Sequence, residues 1–464
     1  MGTGIHLDCF KAYDVRGRVP DQLNPALAQF IGRAYAQLIR PRKVAVGHDV
    51  RLTSPEIAEG LCRGLVESGV DVLDLGQVGT EEVYFAVASQ GLDGGVMVTA
   101  SHNPRDYNGL KFTREQARPI SADTGLVEME QMVIEMLRRD GNVHWAPPRI
   151  GGPTGSVTPV DLRSSYLEHL LSYVDLTRLK PLKIVVNAGN GGAGPIIDRL
   201  EQFLPFHFVK INHEPDGSFP NGVPNPMLPE NRTVTAQAVI EAGADLGLAW
   251  DGDFDRCFFF DERGQFVEGY YLVGLLAQRA LKRHPGACII HDPRLVWNTR
   301  EIVEAAGGIP VVSRSGHAFI KEKMREVDAA YGGEMSAHHY FREFAYCDSG
   351  MIPWLQVVEA VCEEDRPLSA MVEERMARYP VSGEINLRLS DPPKALAAVR
   401  QAYEAEALNI DEIDGLSIEF PAWRFNVRMS NTEPVVRLNV ETRGDRELLK
   451  HKTAEVVQIL ERAG

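Results

Sequence analysis

Three times along this chain a short apolar run is followed by an amphipathic helix and then by another apolar run. Few architectures accommodate that alternation other than a largely parallel sheet covered by helices. The first set has Lys43 to Asp49 as a buried strand, Ser54 to Gly69 as a helix with Ser54 as N-cap and Pro55 at its first position, and Val70 to Gly76 as the next strand. The second runs from strand Leu182 to Ala188 through a helix near Pro195 to Phe203 to strand Leu246 to Trp250. The third has strand Ala287 to Asp292, a helix from Thr299 and strand Ile309 to Ser313. The recurrence suggests repetition of one α/β unit, on pattern alone and without residue identity between blocks.

The tail differs. Strands at Glu384 to Leu389, Leu416 to Phe420, Trp423 to Arg428 and Val435 to Glu441 accompany helices from Pro392 and Asp445, which predicts a smaller α+β domain. A chain of 464 residues exceeds what one hydrophobic core serves. Gly151-Gly152-Pro153-Thr154-Gly155 reads as the first linker, and Glu363 to Pro367 sits near the last boundary. The expected domains are 1–150, 155–254, 255–366 and 370–464: three similar α/β domains with mixed sheets and a C-terminal α+β domain around a central cleft.

Several function classes drop out early. A net charge of −15 argues against nucleic-acid binding, which rests on Lys and Arg neutralising phosphates. A small anion captured by local cations in a cleft is still compatible, because surface fields are screened within about 10 Å. No stretch is apolar for long enough to span a bilayer, and Met1 to Lys11 has no signal-peptide core, so a cytoplasmic enzyme without a membrane partner is expected. The six cysteines lack C-x-x-C spacing and read as buried thiols of a reducing compartment. Asn187 to Gly194 is Gly-rich and follows a strand, but its spacing is not G-x-G-x-x-G, so a tight strand-to-helix connection is expected there and no nicotinamide or flavin.

The chemistry concentrates in short loops. In Asp251-Gly252-Asp253-Phe254-Asp255-Arg256, three alternating carboxylates close an apolar strand, and oxygen ligands of that kind suit Mg²⁺. Arg256 does not ligate a cation; its fork suits phosphate oxygens or the neighbouring carboxylates. An EF-hand loop also opens D-x-D-x-D, but it requires glycine where Arg256 stands and helices where strands are predicted. A solvated acidic turn is the alternative for such a cluster on its own. Thr99-Ala100-Ser101-His102-Asn103-Pro104 follows the apolar run Gly94 to Val98, which puts Ser101 at the C-terminal lip of a strand, where open α/β sheets bind ligands. A capped Ser/Asn turn is the plain alternative, and a G-x-S-x-G nucleophile elbow is excluded because the glycines are missing.

These two loops, together with Gly333-Glu334-Met335-Ser336-Ala337-His338 and Arg428-Met429-Ser430-Asn431-Thr432-Glu433-Pro434, resemble the four signature loops of the α-D-phosphohexomutase superfamily, in the family's order and one per block. The run Gly333 to Pro353 is most similar to the bacterial phosphomannomutase branch. The resemblance implies that Ser101 is carried as a phosphoserine and that Ser101, Asp251, Asp253 and Asp255 bind one Mg²⁺. It also implies that the phosphate passes to a hexose monophosphate and returns from a hexose 1,6-bisphosphate, which doubles as activator. Mannose 6-phosphate and mannose 1-phosphate are the implied pair. Phosphoglucomutase, a dual-specificity enzyme and a catalytically silent sugar-phosphate-binding protein are the alternatives.

Further roles follow from the same resemblance. Glu334 and Ser336 correspond to the sugar-binding loop, with a helix cap as the other reading of Ser336. His338 is expected to touch ring or phosphate, since adjacent histidines point apart and His338-His339 makes a poor zinc pair. Arg428, Ser430, Asn431 and Thr432 correspond to the loop that holds the non-reacting phosphate. Arg437 is either on the same anion or an exposed cross-strand ion partner. Tyr13, Asp14, Arg16 and Gly17 match a Y-D-x-R-G segment, which places Arg16 at the reacting phosphate. Lys111, Arg294 and His317 are candidates for proton transfer or phosphate steering, with His102 of the serine motif also counted as catalytic. Arg294 departs from the Lys found in many relatives, and a permanently protonated guanidinium is a poor base. Phosphate anchored in the last domain must meet Ser101 in the first, so that domain is expected to rotate on ligand. Monomer and homodimer are both compatible with the sequence.

Overall fold

Val44, Ala45 and Val46 are apolar on consecutive positions and all buried, as a strand covered on both faces requires. In the computed structural model, which describes residues 7–139, 154–429 and 435–464, they form the middle of the first sheet. There Lys43–His48 lies parallel to Asp71–Gln77 on one side and to Gly94–Val98 on the other. Gly94–Val98 pairs in turn with antiparallel Tyr107–Arg114.

The same wiring recurs twice. In the second sheet Lys183–Asn187 lies parallel to His207–Ile211 and Leu246–Trp250, and Leu246–Trp250 pairs with antiparallel Cys257–Phe260. In the third, Cys288–His291 lies parallel to Ile309–Val312 and Tyr331–Gly333, and Tyr331–Gly333 pairs with antiparallel His339–Phe341. The repetition expected from pattern is therefore a repetition of topology. It also has a residue signature that the sequence reading overlooked: His48-Asp49-Val50-Arg51-Leu52 and His291-Asp292-Pro293-Arg294-Leu295 leave the first parallel strand of their sheets at the same point. In both, the His Nδ1 lies about a hydrogen bond from the next carbonyl, 2.9 Å and 3.0 Å, and the Arg N–H donates to the Asp carboxylate at 2.9 Å.

Three expectations need correction. The expected boundary between residues 254 and 255 falls inside the second sheet, which continues through Cys257–Phe260 and Phe266–Val267 before helix Gly269–Arg283 opens the next unit. Likewise, Val157–Pro159 extends the first sheet beyond residue 150. Ser54 does not cap its helix: its hydroxyl donates to Asp49 Oδ1 at 2.6 Å, and the cap position is Thr53. The expected linker at Gly151 to Gly155 and the first six residues lie mostly outside the described residues.

The fourth sheet is antiparallel, with Trp423–Met429 and Val436–Thr442 at its centre and helices Pro392–Tyr403 and Arg446–Ala463 packed on it. Its apolar core, including Tyr403, Trp423 and Phe425, is separate from the cluster that runs through the other three units from Leu73 to Trp250 and Trp354. What joins it to the third unit is polar. The buried Glu441 carboxylate accepts from the Val296 N–H at 2.7 Å, at the start of helix Trp297–Ala305, and from the Tyr270 hydroxyl. Arg424 pairs with Glu441 at 2.8 Å and donates to the carbonyls of Pro293 and Arg294.

Candidate active site

Each of the three repeated sheets carries one signature loop in the same place, where its third parallel strand turns back into an antiparallel partner. The common wiring thus delivers residues about 150 and 80 positions apart in sequence to one region. Ser101 sits in the first of these loops with φ +47°, a left-handed conformation that non-glycine residues avoid unless their surroundings impose it. Its N–H donates to Thr99 Oγ1 at 2.9 Å, and Thr99 Oγ1 donates to Asp49 Oδ2 at 2.7 Å. So held, the Ser101 hydroxyl donates to Asp251 Oδ2 at 2.7 Å and lies 3.0 Å from His102 Nδ1.

Asp251, Asp253 and Asp255 are all buried, and one carboxylate oxygen of each lies within 4.8 Å of the others. Lys111 bridges Asp253 Oδ2 at 2.7 Å and Asp255 Oδ2 at 2.6 Å; Thr80 donates to Asp253 Oδ2 at 2.5 Å. Arg256 pairs with Asp251 Oδ2 through Nε at 2.9 Å and touches His102 Nδ1. These contacts leave the Oδ1 atoms of all three aspartates buried and without a hydrogen-bond partner. Buried anionic oxygens in that condition are costly, and a hard cation satisfies them.

Burial raises the Asp251 carboxyl to about 6 in spite of Arg256. Burial pushes Asp255 up too, but Lys111 and His338 outweigh it and hold it at about 2. Asp253 is also lowered: burial and Asp255 work against its charge, and Lys111 prevails.

The remaining expected residues fall around this centre. Arg16 pairs with Asp14 at 2.8 Å and donates to Asn103 Oδ1 at 2.6 Å, facing the serine loop. Tyr13 packs edge-on against His317, whose burial, aided by Lys321, brings it down to about 3. Glu334 accepts from Gly316 N–H at 3.0 Å and from the Tyr340 hydroxyl at 2.6 Å, and pairs with Arg294 at 3.3 Å. Ser336 lies 3.4 Å from Arg294 in a strand-to-strand loop, so the helix-cap reading does not apply. His338 and His339 do point apart. His339 meets the Tyr331 hydroxyl at 2.7 Å, whereas His338 stands 3.8 Å from Asp255, 3.5 Å from Glu334 and 3.9 Å from Asp348. Burial disfavours the His338 charge, but Glu334 and Asp255 outweigh it and raise its pKa.

In the fourth unit Arg428 and Arg437 are directly opposed across the central strand pair. Both approach the Glu384 carboxylate, at 4.0 Å and 3.6 Å, and Arg294 approaches it from the third unit at 3.7 Å. Arg437 is therefore in the same cationic group as Arg428 and not an isolated surface partner. Ser430, Asn431 and Thr432 lie outside the described residues.

Sequence reasoning missed four participants: Thr80, Asp49, Arg51 and Glu384. Only the repeated H-D-x-R-L run signals two of them. The Gly-rich segment also finds its use here, since the Gly192 N–H donates to Gly252 O at 3.1 Å and a Cβ on Gly191 would stand 2.8 Å from that oxygen. It buttresses the aspartate loop.

The chain matches family models along nearly its whole length. They are described as phosphoglucomutase/phosphomannomutase alpha/beta/alpha domain I at residues 8–134, domain II at 164–264, domain III at 268–379 and the C-terminal domain at 384–459. A phosphomannomutase of Salmonella montevideo is 57% identical over 460 residues, covering 98% of this chain and 99% of that protein. A protein of Xanthomonas campestris pv. campestris named phosphohexose mutases is 59% identical over 454 residues, with the same coverage. Among solved structures, a phosphoglucomutase/phosphomannomutase family protein of Burkholderia thailandensis superposes with a TM-score of 0.88 at 32% identity, over 99% of this chain and 98% of that one.

Proposed function

The chain belongs to the phosphoglucomutase/phosphomannomutase family, and from that premise we propose that it interconverts mannose 6-phosphate and mannose 1-phosphate through a phosphoserine at Ser101. The observation that carries the reading is the Ser101 hydroxyl 2.7 Å from Asp251, within the group of three aspartates whose Oδ1 atoms are unsatisfied.

Charge argues for the rest. The three aspartates outnumber Lys111 and Arg256, and a seryl phosphate would add nearly two further negative charges. Asp251, Asp253 and Asp255, with an oxygen on Ser101, would hold Mg²⁺, which when bound would offset the charge of the transferring phosphoryl group. Arg16 and Lys111 flank that group from the first unit. The guanidinium of Arg256, anchored on Asp251, orients the loop and reaches toward the phosphate.

The sugar is read by Glu334 and Ser336, whose carboxylate and hydroxyl exchange their present partners for vicinal ring hydroxyls. Arg428 and Arg437 hold the non-reacting phosphate, with Arg294 beside them. The Ser101 phosphate goes to the free hydroxyl of the hexose monophosphate; the bisphosphate reverses its orientation, and its other phosphate returns to Ser101. A hexose 1,6-bisphosphate would recharge a dephosphorylated serine. The separate core of the fourth unit suits rotation of that unit onto the ligand. A cytoplasmic location agrees with six thiols that are all free.

Initial rates on mannose 1-phosphate and glucose 1-phosphate, each with a trace of bisphosphate, test the choice of sugar. Higher kcat/KM on the mannose compound is expected. Equal or greater efficiency on glucose would overturn the assignment to mannose.

A further inference from the structure

A single guanidinium lies beneath the whole serine loop. Arg51 is 2% exposed, and its two Nη atoms donate to four main-chain carbonyls: Ser101 at 2.9 Å, Asn103 at 2.6 Å, Pro104 at 2.8 Å and Tyr107 at 2.9 Å. All four Nη protons are thereby used, and Nε faces Asp49 at 3.5 Å. Asp49 also accepts from Thr99, which holds the Ser101 N–H. Both ends of the Ser101 peptide unit are thus tied to the Asp49-x-Arg51 turn, and the serine is kept at φ +47°.

The same carbonyl sets the spacing to the aspartates. A Cβ on Gly252 would stand 2.7 Å from Ser101 O, so the aspartate loop packs against the oxygen that Arg51 holds. The Arg51 main chain also bridges to Gly217 of the second unit, and its guanidinium lies 5.3 Å over the Phe219 ring. In the third unit, Asp292-Pro293-Arg294 occupies the equivalent turn, and Arg294 again reaches its own unit's signature loop at Glu334 and Ser336.

From this we infer that Arg51 is a positioning residue for phosphoryl transfer: it fixes the left-handed Ser101 backbone and the register between the serine loop and the aspartate loop. The inference rests on Ser101 as the phosphoryl carrier. Lysine cannot replace it, because an ammonium has three donors on one atom and cannot span four carbonyls.

The test compares Arg51→Lys, Arg51→Met and Thr99→Val with wild type in the full chain with Mg²⁺. A displacement of about 1 Å at a reacting group costs roughly 100-fold in rate, so kcat is expected to fall by about that factor in both Arg51 variants while KM for hexose phosphate changes by less than about threefold. Thr99→Val, which keeps side-chain shape, removes the second tie and should lower kcat about tenfold with KM likewise preserved. It serves if the Arg51 variants do not fold. In ³¹P NMR of protein phosphorylated with hexose bisphosphate, the phosphoserine resonance should shift or split in the variants; a general loss of stability would not do this.

A kcat within about threefold of wild type in folded Arg51→Met, or an unchanged resonance, would overturn the inference. If wild-type Ser101 takes up no phosphate at all, the phosphoserine reading fails instead, and that result is distinct from either.

Discussion

Lys111 Nζ lies 2.6 Å from Asp255 Oδ2, an ion pair buried between the first and second units. Its other contact, Asp253 at 2.7 Å, makes this ammonium a fixed counter-charge in the centre that would hold Mg²⁺. Burial opposes the Lys111 charge, yet the two aspartates outweigh it and raise its pKa, so beside these carboxylates the side chain is an ammonium. Lys111→Gln removes one cation from beside the aspartates. Titration calorimetry should show Mg²⁺ binding strengthened by about tenfold, while turnover falls by on the order of 10²-fold or more because the transferring phosphate loses a partner. Weaker Mg²⁺ binding would count against this arrangement.

Glu384 stands among Arg294, Arg428 and Arg437 at 3.7, 4.0 and 3.6 Å, within the site proposed for the non-reacting phosphate. Its negative charge about 4 Å from the arginines opposes an incoming phosphate by roughly 1 kcal/mol or more. Glu384→Gln should therefore lower KM for hexose phosphate by about tenfold and make inorganic phosphate a better inhibitor. A raised KM in steady-state assays would show instead that the carboxylate orients the arginines.

Glu81 gives a pH signature unconnected with catalysis. In the first turn of helix Thr80–Ser89 it is fully buried against the start of helix Ile352–Glu364, where it accepts from the Gly350 N–H at 2.6 Å; it also accepts from the Tyr166 hydroxyl, and burial pushes its carboxyl up to about 8. The folded pKa is raised above the unfolded one. The stabilising contribution is therefore complete below about pH 4.5 and is lost as pH rises through about 8. Glu82 beside it, pushed up to about 7, adds in the same sense. Denaturant unfolding of Glu81→Gln should show less loss between pH 5 and pH 9 than wild type, by on the order of 3 kcal/mol. Parallel pH profiles would refute the assignment.

Periodicity made the fold legible where strands are buried on both faces: Val44 to Val46, Leu246 to Trp250 and Ile289 to Ile290 are apolar runs too short for helices. It misplaced the boundary at 254 because Cys257–Phe260 is as apolar as the strand that opens a new unit, and direction in a sheet leaves no mark on composition. Ser101 and the aspartates were legible because their chemistry is compact in sequence. Arg51 and Thr80 were not, because each acts across more than 45 positions: Arg51 on carbonyls whose residue types carry no signal, Thr80 on Asp253 of another unit. Ser54 read as a cap because hydroxyl residues before Pro usually cap, but its hydroxyl donates to the buried Asp49 carboxylate, a charge-assisted bond, and does not accept from the first N–H groups of the helix.

In the proposed mechanism Ser101 carries the phosphate between substrate and product. Intact-mass measurement after incubation with hexose 1,6-bisphosphate and Mg²⁺ tests it most directly. One phosphate-sized increment is expected on the wild-type chain, lost on addition of hexose monophosphate and absent from Ser101→Ala, which should also lose mutase turnover by about 10³-fold or more. An unmodified wild-type mass, or a Ser101→Ala protein that turns over normally, would contradict it.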